Sequence, residues 1–247
     1  MKADPSAQVR LLDLQDLDAR ADQLRHQRRS LPEHARLEEL AETRSRLDGQ
    51  TQDARIAVED LSGEQTKVDA DVEQVKARRE RDQSRIDQGL VSNPKDIQRM
   101  QQEMVSLERR ITSLEDEEIE VMERLEEAQL TLDTLAGRLT DTEKQIEETT
   151  AARDAKLAEI DQSLGDLELQ RSPVAAELPA DLLTLYGRLR DSKGGVGAAL
   201  LRARRCSGCM LDLDNAELAT IRAASDDDVI RCEECSRILV RTAESGL

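Results

Sequence analysis

From Ile97 to Ile146 apolar side chains recur at alternating intervals of three and four: Met100, Met104, Leu107, Ile111, Leu114, Val121, Leu125, Ala128, Leu132, Leu135, Leu139 and Ile146, with Glu118 and Thr142 interrupting. On a helix of 3.6 residues per turn this spacing draws one narrow stripe, which needs a second helix to cover it. A weaker stripe runs upstream through Leu40, Leu47, Ala54, Val58, Leu61, Val68, Val72, Val75 and Ile86, and Leu17, Leu24 and Leu31 form an earlier piece in a different frame. With no Trp, no Phe and one Tyr among 247 residues, 36% of them charged, the chain lacks the side chains of a large globular core. It has the composition of solvated helices that bury only a seam.

The two stripes meet at Gly89-Leu-Val-Ser-Asn-Pro-Lys95. Gly89 suits a helix C-terminus, Asn93 a cap and Pro94 a first turn, and so short a connection makes the arms antiparallel. Folding about residue 91 pairs positions whose numbers add to roughly 182. Pro32 should break the first arm, with Ser30 as a new cap, and it lies opposite the point where the second stripe lapses at Thr149 and Arg153 before resuming at Leu157, Ile160 and Leu164. The heptads stop at Arg171-Ser-Pro173. The expected fold is therefore mainly α: an antiparallel coiled-coil hairpin over residues 1–170, with its turn near 89–94 and a kink near 32, then a small α+β domain over residues 171–247.

In that second domain Pro179 to Arg190 reads as a short helix with Leu182, Leu185, Tyr186 and Leu189 on one face. Gly194-Gly-Val-Gly197 is a turn, and Val196 to Leu201 a strand leading into Cys206-Ser-Gly-Cys209. A second pair, Cys232-Glu-Glu-Cys235, is flanked by the strand candidates Val229-Ile230 and Ile238 to Val240. The 22 residues between the pairs accommodate a helix over Asp214 to Ala224, capped by its first acid. Two Cys-x-x-Cys turns present four thiolates tetrahedrally, so Cys206, Cys209, Cys232 and Cys235 are the expected ligands of one structural zinc ion. Four protein ligands leave no open position for a substrate, and a core this small needs the metal to fold.

The net charge of −17 argues against a nucleic-acid clamp. Residues 171–247 hold 11 basic and 12 acidic side chains, so the acidity belongs to the helices. Within 188–205, Arg188, Arg190, Lys193, Arg202, Arg204 and Arg205 face only Asp191, which makes that segment the candidate for nucleic acid. Residues 115–127 hold eight acids and one arginine, and Glu115, Asp116, Glu117 and Glu118 join Leu90, Val91, Asn93 and Lys95 of the turn as candidates for docking a partner protein. Such charged faces are ordinarily just solvated. His26 and His34 read as solvated helix residues, and no phosphate loop or nucleophile with a base is present, so no enzyme is expected. No run is long and apolar enough for a membrane span or signal peptide, and a cytoplasmic location is expected.

The heptad hairpin, the turn Asn93-Pro-Lys-Asp-Ile97, the segment Leu178-Pro-Ala-Asp-Leu-Leu with Tyr186 and Arg190, and the ending Cys232-Glu-Glu-Cys-Ser-Arg-Ile-Leu239 together resemble the bacterial family of coiled-coil proteins with a four-cysteine zinc ribbon. The resemblance spans essentially the whole chain. It implies a chaperone-like adaptor, since some members in flagellated or type III secreting bacteria contact an alternative sigma factor, secretion components or messenger RNA. Where this chain has Ser236 the family usually has Gly, and Glu233 and Glu234 replace small or turn-forming residues. The metal ligands are unaffected, but two carboxylates at the second knuckle repel phosphate. The expected function is a non-catalytic zinc-binding adaptor that docks proteins through the coiled coil and the ribbon. The alternative is RNA or DNA binding through residues 188–205 and the ribbon.

Overall fold

The computed structural model describes all 247 residues. Their order is α1 (Pro5–Arg29), α2 (Pro32–Asp87), α3 (Pro94–Ala176), α4 (Ala180–Ser192), β1 (Ala198–Arg202), β2 (Arg205–Cys206), α5 (Asn215–Ala223), β3 (Ile230–Arg231) and β4 (Ile238–Val240). The chain divides into two compact units, Ala35–Thr150 and the combination of Met1–His34 with Ala151–Leu247. This differs from the sequence boundary at 170/171, because α3 runs through it with Pro173 inside the helix. The division falls instead beside Pro32 and between Thr149 and Arg153, where the two stripes lapse.

Within Ala35–Thr150 the arms join as the turn residues dictate. Gly89 adopts φ +66, a left-handed conformation that costs glycine little, and its N–H donates to the Ile86 carbonyl. Asn93 Oδ1 accepts from the Lys95 N–H at 3.1 Å ahead of Pro94. The seam is buried at Leu40, Leu47, Val68 and Val72 of α2 and at Ile111, Leu114 and Val121 of α3, and half-buried at its other apolar positions; Val68 and Val72 pack with Leu114 and Val121. Cross-arm partners lie at or somewhat above the expected register, with Arg36–Gln145 and Arg78–Glu103 adding to 181, Arg44–Glu143 and Arg79–Glu108 to 187, Arg124–Glu64 to 188 and Lys76–Glu115 to 191, an offset that long side chains span. Thr142 does not interrupt the seam, because its buried hydroxyl donates to the Arg138 carbonyl at 2.8 Å.

In the other unit, Pro32 starts α2, but Ser30 closes α1 and caps nothing in α2: its N–H and hydroxyl both donate back to the last turn of α1. The buried face of α1 is also not the expected one. Leu17 and Leu24 are half-buried, whereas Ala7, Leu11, Leu14, Asp18 and Ala21 are buried at heptad spacing. That face packs with Leu182, Tyr186 and Leu189 of α4 against Ala198, Ile238 and Val240 of the sheet.

The sheet has the order β2-β1-β4-β3, with β1 and β4 parallel at its centre. Strand alternation splits the core in two. Ala198, Ile238 and Val240 face α1 and α4, while Ala199, Leu201 and Leu239 face α5 and the cysteines. Gly197 is required where the turn enters β1, since a Cβ there would lie 2.6 Å from the Tyr186 carbonyl oxygen.

Candidate metal centre and surrounding surfaces

The cysteine pairs sit on two turns of the same construction. Cys206 ends β2 and Cys232 follows β3, and in each turn the residue after the second cysteine closes back on the first: Met210 N–H donates to the Cys206 carbonyl and Ser236 N–H to that of Cys232. Both closing residues hold φ 63. Left-handed backbone explains why glycine suits the Ser236 position.

The four sulfur atoms all lie within 4.8 Å of one another, with Cys206–Cys235 and Cys209–Cys232 each separated by 3.9 Å. A tetrahedral zinc ion with Zn–S bonds of about 2.3 Å places its sulfurs about 3.8 Å apart, so the residues fit the ion. Burial pushes the Cys206 thiol up, and Cys232 up to about 12. At Cys235 burial acts the same way, but hydrogen bonds from the Arg237 backbone and side chain outweigh it and bring the thiol down to about 7. Donors aimed at sulfur stabilise thiolates, the form a metal binds.

Two residues that the sequence reading overlooked brace this centre. Arg237 donates to the carbonyls of Gly208 at 3.1 Å, Val196 at 2.9 Å and Lys193 at 2.7 Å, tying the first knuckle to the glycine turn. Buried Glu217, at the start of α5, accepts from the Glu233 N–H at 3.0 Å and so anchors the second knuckle. Only the Cys-x-Arg spacing after Cys235 hints at the first; nothing in sequence distinguishes the second from a surface glutamate.

The same unit contains a buried ionic cluster. Asp18, 3% exposed in its side chain, accepts from Tyr186 Oη at 2.7 Å and from Arg171 Nε at 2.7 Å, with Arg190 Nε at 3.5 Å. Burial first, then the bond to Asp18, pushes the Tyr186 hydroxyl well above its ordinary range, so it stays a donor. Gln15, one turn earlier, brackets the glycine turn by donating to the Gly195 carbonyl and accepting from the Gly197 N–H.

This cluster changes the reading of residues 188–205. Arg190 also pairs with Asp22, Arg202 with Glu244 and Arg205 with Asp212, and Arg204 donates to the Gly246 carbonyl. Asp191 is therefore not the one acid facing the segment. Arg188, Lys193 and Arg204 are the three of the six without an ion pair. Among the docking candidates Leu90 is 68% exposed, whereas Val91 is half-buried and Asn93 is occupied in capping. Lys95, Asp116 and Glu117 are exposed, Glu118 is half-buried, and Glu115 pairs with Lys76 at 2.8 Å. No helix is long and apolar enough to cross a membrane.

Residues 14–194 match the CT398-like coiled coil hairpin domain. The chain belongs to that family. Residues 205–239 match the C4-type zinc ribbon domain, which covers the cysteine turns of this CT398-like protein. An uncharacterised Mycobacterium tuberculosis protein is 36% identical over 241 residues, 98% of each chain. A solved Mycobacterium smegmatis structure, 35% identical, aligns over 98% of this chain and all of its own with a TM-score of 0.84. The CT398 structure from Chlamydia trachomatis, 20% identical, aligns over 95% of this chain and 97% of its own with a TM-score of 0.68, a likeness of fold alone.

Proposed function

We propose that this CT398-like protein is a non-catalytic zinc-binding adaptor of the cytoplasm that docks protein partners through its hairpin and its ribbon. The observation that carries this reading is the placement of large apolar side chains in solvent at the ends of tightly built turns: Leu90 at the hairpin turn, and Met210 and Leu211, 62% and 50% exposed, at the first knuckle. Met210 is fixed there by the backbone bond that closes the knuckle, and a flexible thioether adapts well to a partner surface. Zinc is the ion assigned to the four cysteines, on the sulfur separations and the soft donor set. With all four positions taken by protein, its role is to hold the ribbon. Thiols kept reduced for a metal suit a reducing compartment.

The alternative, nucleic-acid binding by residues 188–205, has less support than their linear charge suggests, because three of the six cations are already ion-paired. Capture from native cell extract by the zinc-loaded full chain separates the two. The adaptor reading expects discrete proteins that survive nuclease treatment and are lost on Leu90→Asp or on reversing Asp116 and Glu117 to Lys. Recovery of nucleic acid alone, with every protein released by nuclease, overturns it.

A further inference from the structure

Within Ala35–Thr150 the hairpin leaves an open groove of about 710 Å³ between α2 and α3. Its floor is apolar: Val58 from α2 and Ile119, Met122, Leu125 and Leu130 from α3. Leu125 belongs to the seam. Ile119, Met122 and Leu130 form a second stripe beside it and stand 56%, 48% and 68% exposed. The cause lies in α2, which offers Ser62 and Gln65 at this height and cannot cover both stripes. Scattered exposed leucines need no explanation, but three large side chains lining one groove mark a contact surface.

The rim is acidic. Glu123, Glu126 and Asp133, all from α3, line the groove and none has a cationic side chain within ion-pair distance; Arg124, next to Glu123, is engaged by Glu64. Carboxylates interleaved with the apolar side chains of α3, opposite an α2 wall that contributes neutral Ser62 and Gln65, select a ligand with an apolar stripe bordered by positive charge on the side that meets α3. We infer that this groove is the docking site for a basic amphipathic helix of a partner protein, which completes a local three-helix bundle.

Three considerations fix the occupant. A helix satisfies its own backbone hydrogen bonds, which an extended segment pressed onto an apolar floor does not. Residues 119–133 extend about 21 Å at 1.5 Å per residue, matching about four turns of a partner helix. A second copy of this chain, with its charge of −17, would set carboxylate against carboxylate. Nucleic acid is repelled for the same reason. The inference deepens the adaptor reading and rests on it.

The test uses a labelled synthetic 16-residue helical peptide with leucines at intervals of three and four and lysines elsewhere, titrated against the zinc-loaded full chain at physiological salt. A scrambled peptide of the same composition serves as the control. Saturable binding is expected, at least about tenfold tighter than the scramble. Ile119→Ser with Leu130→Ser should weaken it about tenfold or more, since two exposed apolar anchors are lost while circular dichroism stays unchanged. Glu123→Gln with Glu126→Gln should flatten its salt dependence. Absence of saturable binding, equal binding of the scramble, or equal binding by the serine variant overturns the inference. The adaptor reading fails separately: it falls if the native chain captures no nuclease-resistant protein from extract. This inference falls alone if native and serine-variant chains capture the same set.

Discussion

The two units of this CT398-like protein bury polar groups in opposite ways. In Ala35–Thr150 the buried polar side chains are Thr51 and Thr142, and each donates to the carbonyl four residues before it. In Met1–His34 with Ala151–Leu247 they include Gln8, Gln15, Asp18 and Glu217, whose partners are mostly distant in sequence: Asp18 and Tyr186 are separated by 168 residues. Locally satisfied hydroxyls say nothing about which helix lies opposite. A buried carboxylate held by two arginines and a tyrosine admits one arrangement, because any other leaves a charge unpaired in the core. The hairpin is thus specified by pattern, and the ribbon unit by particular contacts.

Metal removal breaks this comparison most sharply. Chelation, or Cys206→Ser, should unfold the ribbon while leaving the hairpin helical, because the Val68, Val72, Leu114 and Val121 cluster makes no use of the metal. Structural zinc sites contribute about 10–16 kcal/mol of apparent binding free energy, more than a core this small supplies by burial. Zinc content by elemental analysis, with hydrogen exchange resolved by segment, checks it. Residues 198–240 should lose protection and 40–146 keep it. Zinc binding expels thiol protons, so affinity should fall as pH falls. A ribbon that keeps its protection without metal contradicts the prediction.

Second in size is Asp18→Asn. It keeps the shape but removes the charge that Arg171 and Arg190 face, and breaking a buried ion cluster costs about 3 kcal/mol. Faster exchange should appear in α1 and α4 and not in the hairpin. An unchanged exchange pattern would mean that the surrounding apolar contacts alone hold α1 in place.

What was legible in the sequence follows the same division. The hairpin was readable because its determinants are local: a φ-positive glycine at 89, a capping Asn93 before Pro94, and a stripe that needs only counting. The metal centre was readable because Cys-x-x-Cys carries its geometry within four residues. Asp18 was not, since an aspartate in a charged helix reads as solvated until Arg171, Arg190 and Tyr186 are brought to it. The same failure hid the buried face of α1, where Asp18 occupies a heptad position and alanines stand at Ala7 and Ala21. It also made residues 188–205 look more basic than they are, because Asp22, Asp212 and Glu244 lie outside that segment.

The smallest effect is expected from the ion pairs that decorate the hairpin. Arg44 and Glu143 meet across the arms at 3.0 Å, with about half of each side chain in solvent, 52% and 44%. Water screens such a pair and both side chains lose rotamer freedom in forming it, so Arg44→Gln should change stability by less than about 0.5 kcal/mol. The attraction should shrink further as salt shortens the Debye length from about 10 Å at 0.1 M to about 3 Å at 1 M. Thermal unfolding of the native and Arg44→Gln chains at both salt concentrations measures this, with Leu114→Ala as the reference for a buried seam residue, expected to cost about 2–5 kcal/mol. If Arg44→Gln approached Leu114→Ala at low salt, the cross-arm charges and not the apolar stripe would set the register. The hairpin would then be specified by particular contacts, as the ribbon unit is.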